Sequence, residues 1–102
     1  MYKYEVEYSK EAKQDLIEIK RYIKYTLKQP EIAQNLISRI RMKIDMLEDN
    51  PKVYAIIDLD KIKKFEIRKF AIDNYIVFYM VKGNKIQIVR ILYGRKNWIN
   101  IL

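Results

Sequence analysis

Hydrophobic and polar positions change rhythm several times along the chain. From Lys3 to Tyr8 they alternate, with Tyr4, Val6 and Tyr8 on one side and Lys3, Glu5 and Glu7 on the other. A period of two predicts a strand with one wet face. Ala12, Leu16, Ile19, Ile23 and Leu27 then recur at spacings of four and three, one face of a helix. Ser9 is placed to cap that helix and Glu11 sits favourably in its first turn. Gln29-Pro30 interrupts the pattern, and Pro30 suits the first turn of a second helix. Its stripe is Ala33, Leu36, Ile37, Ile40, Ile44 and Leu47, and Asp49-Asn50-Pro51 ends it. The short link predicts an antiparallel helical hairpin.

Residues 53–64 show little periodicity and read as a connection with a short edge element. Phe65 to Phe70 reads as a strand, Phe65 and Ile67 on one face and Glu66 and Arg68 on the other. Tyr75 to Val81 is an unbroken apolar and aromatic run, the signature of a central strand covered on both faces. Lys82-Gly83-Asn84-Lys85 has hairpin-turn composition, and Ile86 to Tyr93 alternates as its partner strand. Residues 1–102 thus form a single domain of α+β class: an N-terminal strand, a helical hairpin, then a three-stranded antiparallel sheet, β-α-α-β-β-β.

The hairpin register assigns the faces. With Gly83-Asn84 as a two-residue turn, Lys82 opposes Lys85 and Phe78 opposes Val89. Ile76, Phe78, Met80, Val89, Ile91 and Tyr93 then share a face expected to lie under the helices. Tyr75, Val77, Tyr79, Ile88, Arg90 and Leu92 share the other, expected to be open. A slip of one residue would drive Arg90 into the core, where an unpaired charge costs several kcal/mol. Glu66 and Arg68 are expected to join the open face from the neighbouring strand.

Charge sharpens this picture. The chain has 21 Lys and Arg against 13 Asp and Glu, a net charge of +8. That excess favours polyanionic partners such as nucleic acid, the ribosome or an acidic protein. A Lys-rich surface of no special purpose competes with it. The expected open face interleaves cations with rings, as single-stranded nucleic acid requires. Lys61, Lys63 and Lys64 rim it on one side, Lys96 on another, and Tyr75 and Tyr79 offer stacking surfaces; these six are the candidate RNA-binding residues. No His and no Cys occur, so disulfides, thiolate sites and His-ligated metal centres are excluded, and no cofactor is expected. The residues 1–5 carry no hydrophobic signal core, and no apolar run approaches a membrane span, so a cytoplasmic location without membrane contact is expected.

Three motifs in order resemble the RelE/ParE toxin superfamily. Tyr8-Ser9-Lys10-Glu11-Ala12 through Asp15-Leu16 is similar to its opening. Asn74-Tyr75-Ile76-Val77-Phe78-Tyr79 looks like its "NYxxFY" central strand. Val89-Arg90-Ile91-Leu92-Tyr93-Gly94-Arg95-Lys96-Asn97-Trp98 resembles its "hRhLHGRRDW" ending, with Tyr93 where many members carry His. The resemblance spans essentially the whole chain. It implies the same fold, a role as toxin of a type II toxin–antitoxin pair, and neutralisation by a cognate antitoxin.

The resemblance leaves two activities open. RelE-like members cut mRNA on the ribosome, whereas ParE-like members inhibit DNA gyrase without an RNase site. A basic RNA-binding domain without toxicity is a third reading. An mRNA interferase needs a base for the 2′-hydroxyl, cations for the phosphate and an acid for the leaving oxygen. Glu66 is the candidate base, Arg68, Arg90 and Arg95 the cations, and Tyr93 or Lys63 the acid. Trp98 stands where RelE-type tails often carry a tyrosine, and an indole cannot serve in proton transfer.

Overall fold

The computed structural model describes residues 3–102. Met1 and Tyr2, part of the stretch expected to carry no signal core, lie outside them. Strand β1 (Glu5–Tyr8) leads through Ser9 into helix α1 (Lys10–Arg21), which continues as a π-helical turn over Tyr22–Thr26. Helix α2 (Pro30–Asp45) returns antiparallel and ends in a 3₁₀ turn, Met46–Glu48. Strands β2 (Arg68–Ile72), β3 (Tyr75–Lys82) and β4 (Lys85–Tyr93) follow, then a short helix α3 (Trp98–Ile101). The sheet order is β1-β4-β3-β2, with β1 parallel to β4 and the other pairs antiparallel.

Local chemistry explains the starts and stops. Ser9 caps α1, its hydroxyl accepting from the Ala12 N–H at 2.9 Å. Pro30 opens α2, where its missing N–H costs nothing. The second helix carries four β-branched isoleucines, each a few tenths of a kcal/mol worse than alanine in a helix. Burying each contributes about 1.5–3 kcal/mol. Ile37, Ile40 and Ile44 are buried, so packing decides the outcome. The π-helical turn alters the predicted stripe at its last member. Ile23 stays buried, but Leu27 is 48% exposed, because the wider turn shifts its register away from the core.

Three sequence-based expectations need correction: the bounds of β2, the hairpin register and the faces of β3. The strand expected over Phe65–Phe70 runs from Arg68 to Ile72 instead. Lys63–Phe65 form a 3₁₀ turn, with the Phe65 N–H bonded to the Ile62 carbonyl at 3.0 Å and the Glu66 N–H to Lys63 at 3.1 Å. Those donors are satisfied locally, and Glu66 adopts left-handed φ 54°, so neither residue joins the sheet.

The hairpin begins in the expected register, Lys82 opposite Lys85, and keeps it to Tyr79 opposite Ile88. It then slips by one, and Phe78 faces Arg90 rather than Val89. Val89 is the extra residue of a β-bulge. The faces of β3 are also the reverse of those expected. Val77 and Tyr79 lie under the helices with Phe70, Ile88 and Ile91. Ile76, Phe78 and Met80 lie on the second face with Val89 and Leu92. That second face is not open: Ile57, Ile62 and Ile67 cover it from the 53–67 connection, and Trp98 and Leu102 cover it from the C-terminal tail. The Phe78 and Trp98 ring centres lie 5.2 Å apart. Both faces of β3 are apolar, so hydrophobicity could not rank them. Tyr79, expected on the open face, is buried instead, and its hydroxyl donates to the buried Pro51 carbonyl at 2.7 Å.

Candidate functional site

The bulge in β4 brings Arg90 to α1. Its Nε and Nη2 donate to Asp15 Oδ2 and Oδ1 at 2.8 and 2.9 Å, a two-pronged ion pair. Asp15 is 6% exposed and also accepts the Ile91 N–H at 2.9 Å. This hydrogen-bonded pair holds the guanidinium more firmly protonated than an ordinary arginine. Arg90 therefore points toward the helices, not onto an open sheet. The slip that seemed too costly on charge grounds is tolerated because Asp15 compensates it.

The other candidates for phosphate chemistry are scattered. Arg68 sits opposite Tyr79 at the sheet edge and donates to the Tyr54 carbonyl at 2.6 Å and to Lys52 at 3.5 Å, pinning the chain after α2. Tyr79 is fully buried, and burial pushes its phenol up to about 12. Glu66 is exposed in its turn, off the strand. Lys61, Lys63 and Lys64 are exposed on the same connection, with Lys63 3.4 Å from Asp60 and Lys64 over the Phe65 ring. Glu66, Arg68, Arg90, Tyr75 and Tyr79 thus do not form the expected shared surface.

What does converge is the far end of the sheet. Tyr75 and Tyr93 face each other across β3 and β4, ring centres 5.8 Å apart and nearly perpendicular. Burial, reinforced by the neighbouring Tyr22 and Tyr93, raises the Tyr75 phenol above its ordinary value. These three tyrosines line a groove of about 900 Å³ between the tip of the helical hairpin and the ends of β3 and β4. Ile23, Leu27 and Ile32 supply its apolar wall, and Lys96 stands at its rim. Arg95 lines a smaller hollow on the other side of Tyr93. Tyr22, Leu27 and Ile32 are each about half exposed, an apolar opening larger than isolated surface residues explain. Arg39 and Asp73 brace one margin through paired bonds of 3.1 and 2.6 Å, tying α2 to the β2–β3 turn. The same pairing holds the Asp73 carboxyl below the usual range.

The sequence names Tyr75, Tyr93, Arg95 and Lys96 as candidates but places Tyr75 and Tyr93 on opposite faces of the hairpin, and it assigns no functional role to Asp15 or Tyr22. Asp15 carried a signal: a carboxylate beside Leu16 on the apolar stripe requires a buried partner. Tyr22 carried none, because the π-helical turn that presents it leaves no mark in the periodicity. Among the described residues, no cluster of His, Cys, Asp or Glu is arranged to hold a metal ion. No helix among them is long and apolar enough to cross a membrane.

Residues 6–98 match the model of a family described as ParE toxin of type II toxin–antitoxin system, parDE. A solved chain of the chromosomal ParDE TA system from P. aeruginosa is similar in fold, with a TM-score of 0.70. It is 22% identical, and the alignment covers 86% of this chain and 92% of that one. No curated protein matches the sequence.

Proposed function

Because the chain belongs to the ParE toxin family of type II toxin–antitoxin systems, we propose that it inhibits DNA gyrase by binding rather than by cutting RNA. The observation that carries this reading is the engagement of both central arginines. Arg90 is consumed by Asp15 and Arg68 by backbone carbonyls. A phosphate in the transition state needs donors that are free to meet it; withdrawing Arg90 from Asp15 would leave a buried carboxylate unpaired, at a cost of about 3–5 kcal/mol. The groove of Tyr22, Tyr75 and Tyr93 is a binding surface, suited to the apolar side of an antitoxin segment that orders on contact.

Expression of the chain alone should arrest bacterial growth, and co-expression of its antitoxin should restore it. Purified toxin should then inhibit plasmid supercoiling by gyrase and leave ribosome-bound mRNA intact. Cleavage of mRNA within codons, with supercoiling unaffected, would overturn the proposal. It would support the second reading, an mRNA interferase, for which Tyr93, Arg95 and Lys96 are exposed and take part in no ion pair among the described residues.

A further inference from the structure

We propose that the outward side of α1, with its π-helical extension, binds the phosphate backbone of duplex DNA. The charges of this element are sorted by direction. At about 100° per residue, Lys10, Lys13, Lys20 and Arg21 fall within an arc of about 100°; Lys24 lies in the π-helical turn that follows and Lys28 two residues beyond it. All six are exposed. The ion pairs among the described residues join Lys3, Arg39, Lys63, Lys85 and Arg90 to carboxylates, and none involves these six cations.

The acids of the same helix lie elsewhere. Glu11, Asp15 and Glu18 follow a spacing of four and three, a separate stripe turned toward the sheet. Asp15 is occupied by Arg90, Glu18 lines the large groove and accepts the Gln14 amide at 3.2 Å, and Glu11 lines a smaller hollow beside β1. Helices commonly place Glu and Lys in reach of each other at these spacings. Here only Arg21 has an acid of the helix at such a spacing, Glu18, and no ion pair joins them; Lys10, Lys13 and Lys20 have none.

The spacing selects the polyanion. Lys10 to Lys20 spans about 15 Å along a straight helix. Duplex DNA offers one charge per about 1.7 Å of axis, about twice what an extended acidic peptide can offer at its residue rise of about 3.4 Å. Single-stranded RNA is disfavoured by composition. Residues 10–21 contain no aromatic side chain; in the extension Tyr22 lines the groove and Tyr25 alone, under the Lys24 ammonium, offers a ring, whereas surfaces for unstacked bases need several. At the centre of the arc stands Ile17, half exposed, which cannot hydrogen-bond a base. The contact is therefore electrostatic and indifferent to sequence. It does not depend on whether gyrase or the ribosome is the toxin's target, so the two proposals stand or fall separately.

The test uses the full chain, free of antitoxin, and a fluorescein-labelled 24-base-pair duplex of mixed sequence, with anisotropy read over a range of salt. Wild type should bind with strong salt dependence. K13Q/K20Q/K24Q should flatten the log–log slope by about 2.7, three lost phosphate contacts at about 0.9 each. Its affinity should fall on the order of tenfold or more at low salt. K52Q/K69Q/K82Q removes the same charge from exposed positions elsewhere and should leave the slope unchanged. Equal losses in both variants, absence of binding by wild type, or equal competition by polyglutamate at matched charge would each overturn the proposal. Acetylation footprinting of the wild-type chain provides a readout without mutation. DNA should protect Lys13, Lys20 and Lys24, and protection of Lys52, Lys69 and Lys82 in their place would also refute it.

Discussion

Asp15→Ala should be among the most damaging single substitutions in this chain. The carboxylate accepts three hydrogen bonds, two from Arg90 at 2.8 and 2.9 Å and one from the Ile91 N–H at 2.9 Å. Removing it leaves a guanidinium unpaired and a buried backbone donor unmet. Breaking a buried ion pair from one side costs about 3–5 kcal/mol. The Arg90 side chain keeps 24% of its surface exposed, so water recovers part of that cost. We expect a loss of about 3 kcal/mol, the low end of the range, and a fall in Tm of about 12–24 °C for a domain of this size. Asp15→Asn keeps an acceptor for Ile91 and should lose roughly half as much. The double variant Asp15→Leu/Arg90→Met removes both charges and should lie near 1–2 kcal/mol, roughly the Ile91 donor alone. Urea unfolding, followed by circular dichroism, measures all of these. If Asp15→Ala loses less than about 1 kcal/mol, or the effects of the two sites simply add, the pair is not the lock described here.

Other expectations follow from the same geometry. Tyr22→Ala with Tyr93→Ala should abolish antitoxin rescue in co-expression while leaving the unfolding free energy within about 1 kcal/mol of wild type, since both side chains are substantially exposed; undiminished rescue would remove the groove from the antitoxin interface. Ser9→Ala deletes both the α1 cap and a bond to the Val89 carbonyl, and should cost about 1–2 kcal/mol in denaturant unfolding. Tyr79 has a folded pKa raised from 10.0 to about 12. Its stabilising contribution is full below pH 10 and is lost as pH rises toward 12, because only the unfolded state releases the proton in that window. The unfolding free energy should therefore fall on the order of 1 kcal/mol per pH unit from this group, and Tyr79→Phe should flatten that part of the profile.

How far the fold could be read from the sequence depended on the range of the interactions. Helix α1, its Ser9 cap and the Pro30 start of α2 were legible because spacing and capping act within a few residues. The first four pairs of the β3–β4 hairpin were legible for the same reason, since Gly83 adopts φ 60° and closes a two-residue turn. Glu66 was misplaced because a 3₁₀ turn can satisfy the same donors as a ladder, and composition does not distinguish them. Arg90 was misplaced because its partner lies 75 residues away on a helix. Two anomalies were nevertheless visible, a carboxylate flanking an apolar stripe and a cation within an apolar strand. Each demands a buried counter-charge, and each is the only economical answer to the other. Matching them would have fixed the packing of α1 on β4 and exposed the bulge before any coordinates.

The bulge and the start of α1 form one unit. Past the end of β1, the polar backbone groups on that side of β4 lack a strand partner, and the bulge at Val89 falls in the same stretch. Helix α1 meets them in order: the Ser9 N–H donates to Ile88 at 2.9 Å, the Ser9 hydroxyl donates to Val89 at 2.8 Å, and Asp15 takes the Ile91 N–H. Parallel pairing of β1 with β4 ends at Tyr8 opposite Ile88, which delivers Ser9 directly to the irregular stretch. The slip also sets which residues beyond it reach the helical side. In a continuous register Tyr75 would oppose Leu92; with the extra residue it opposes Tyr93, and the two rings close the groove floor. The same inserted residue thus diverts Arg90 into a structural pair and sets Tyr75 beside Tyr93 in the groove that we propose receives the antitoxin.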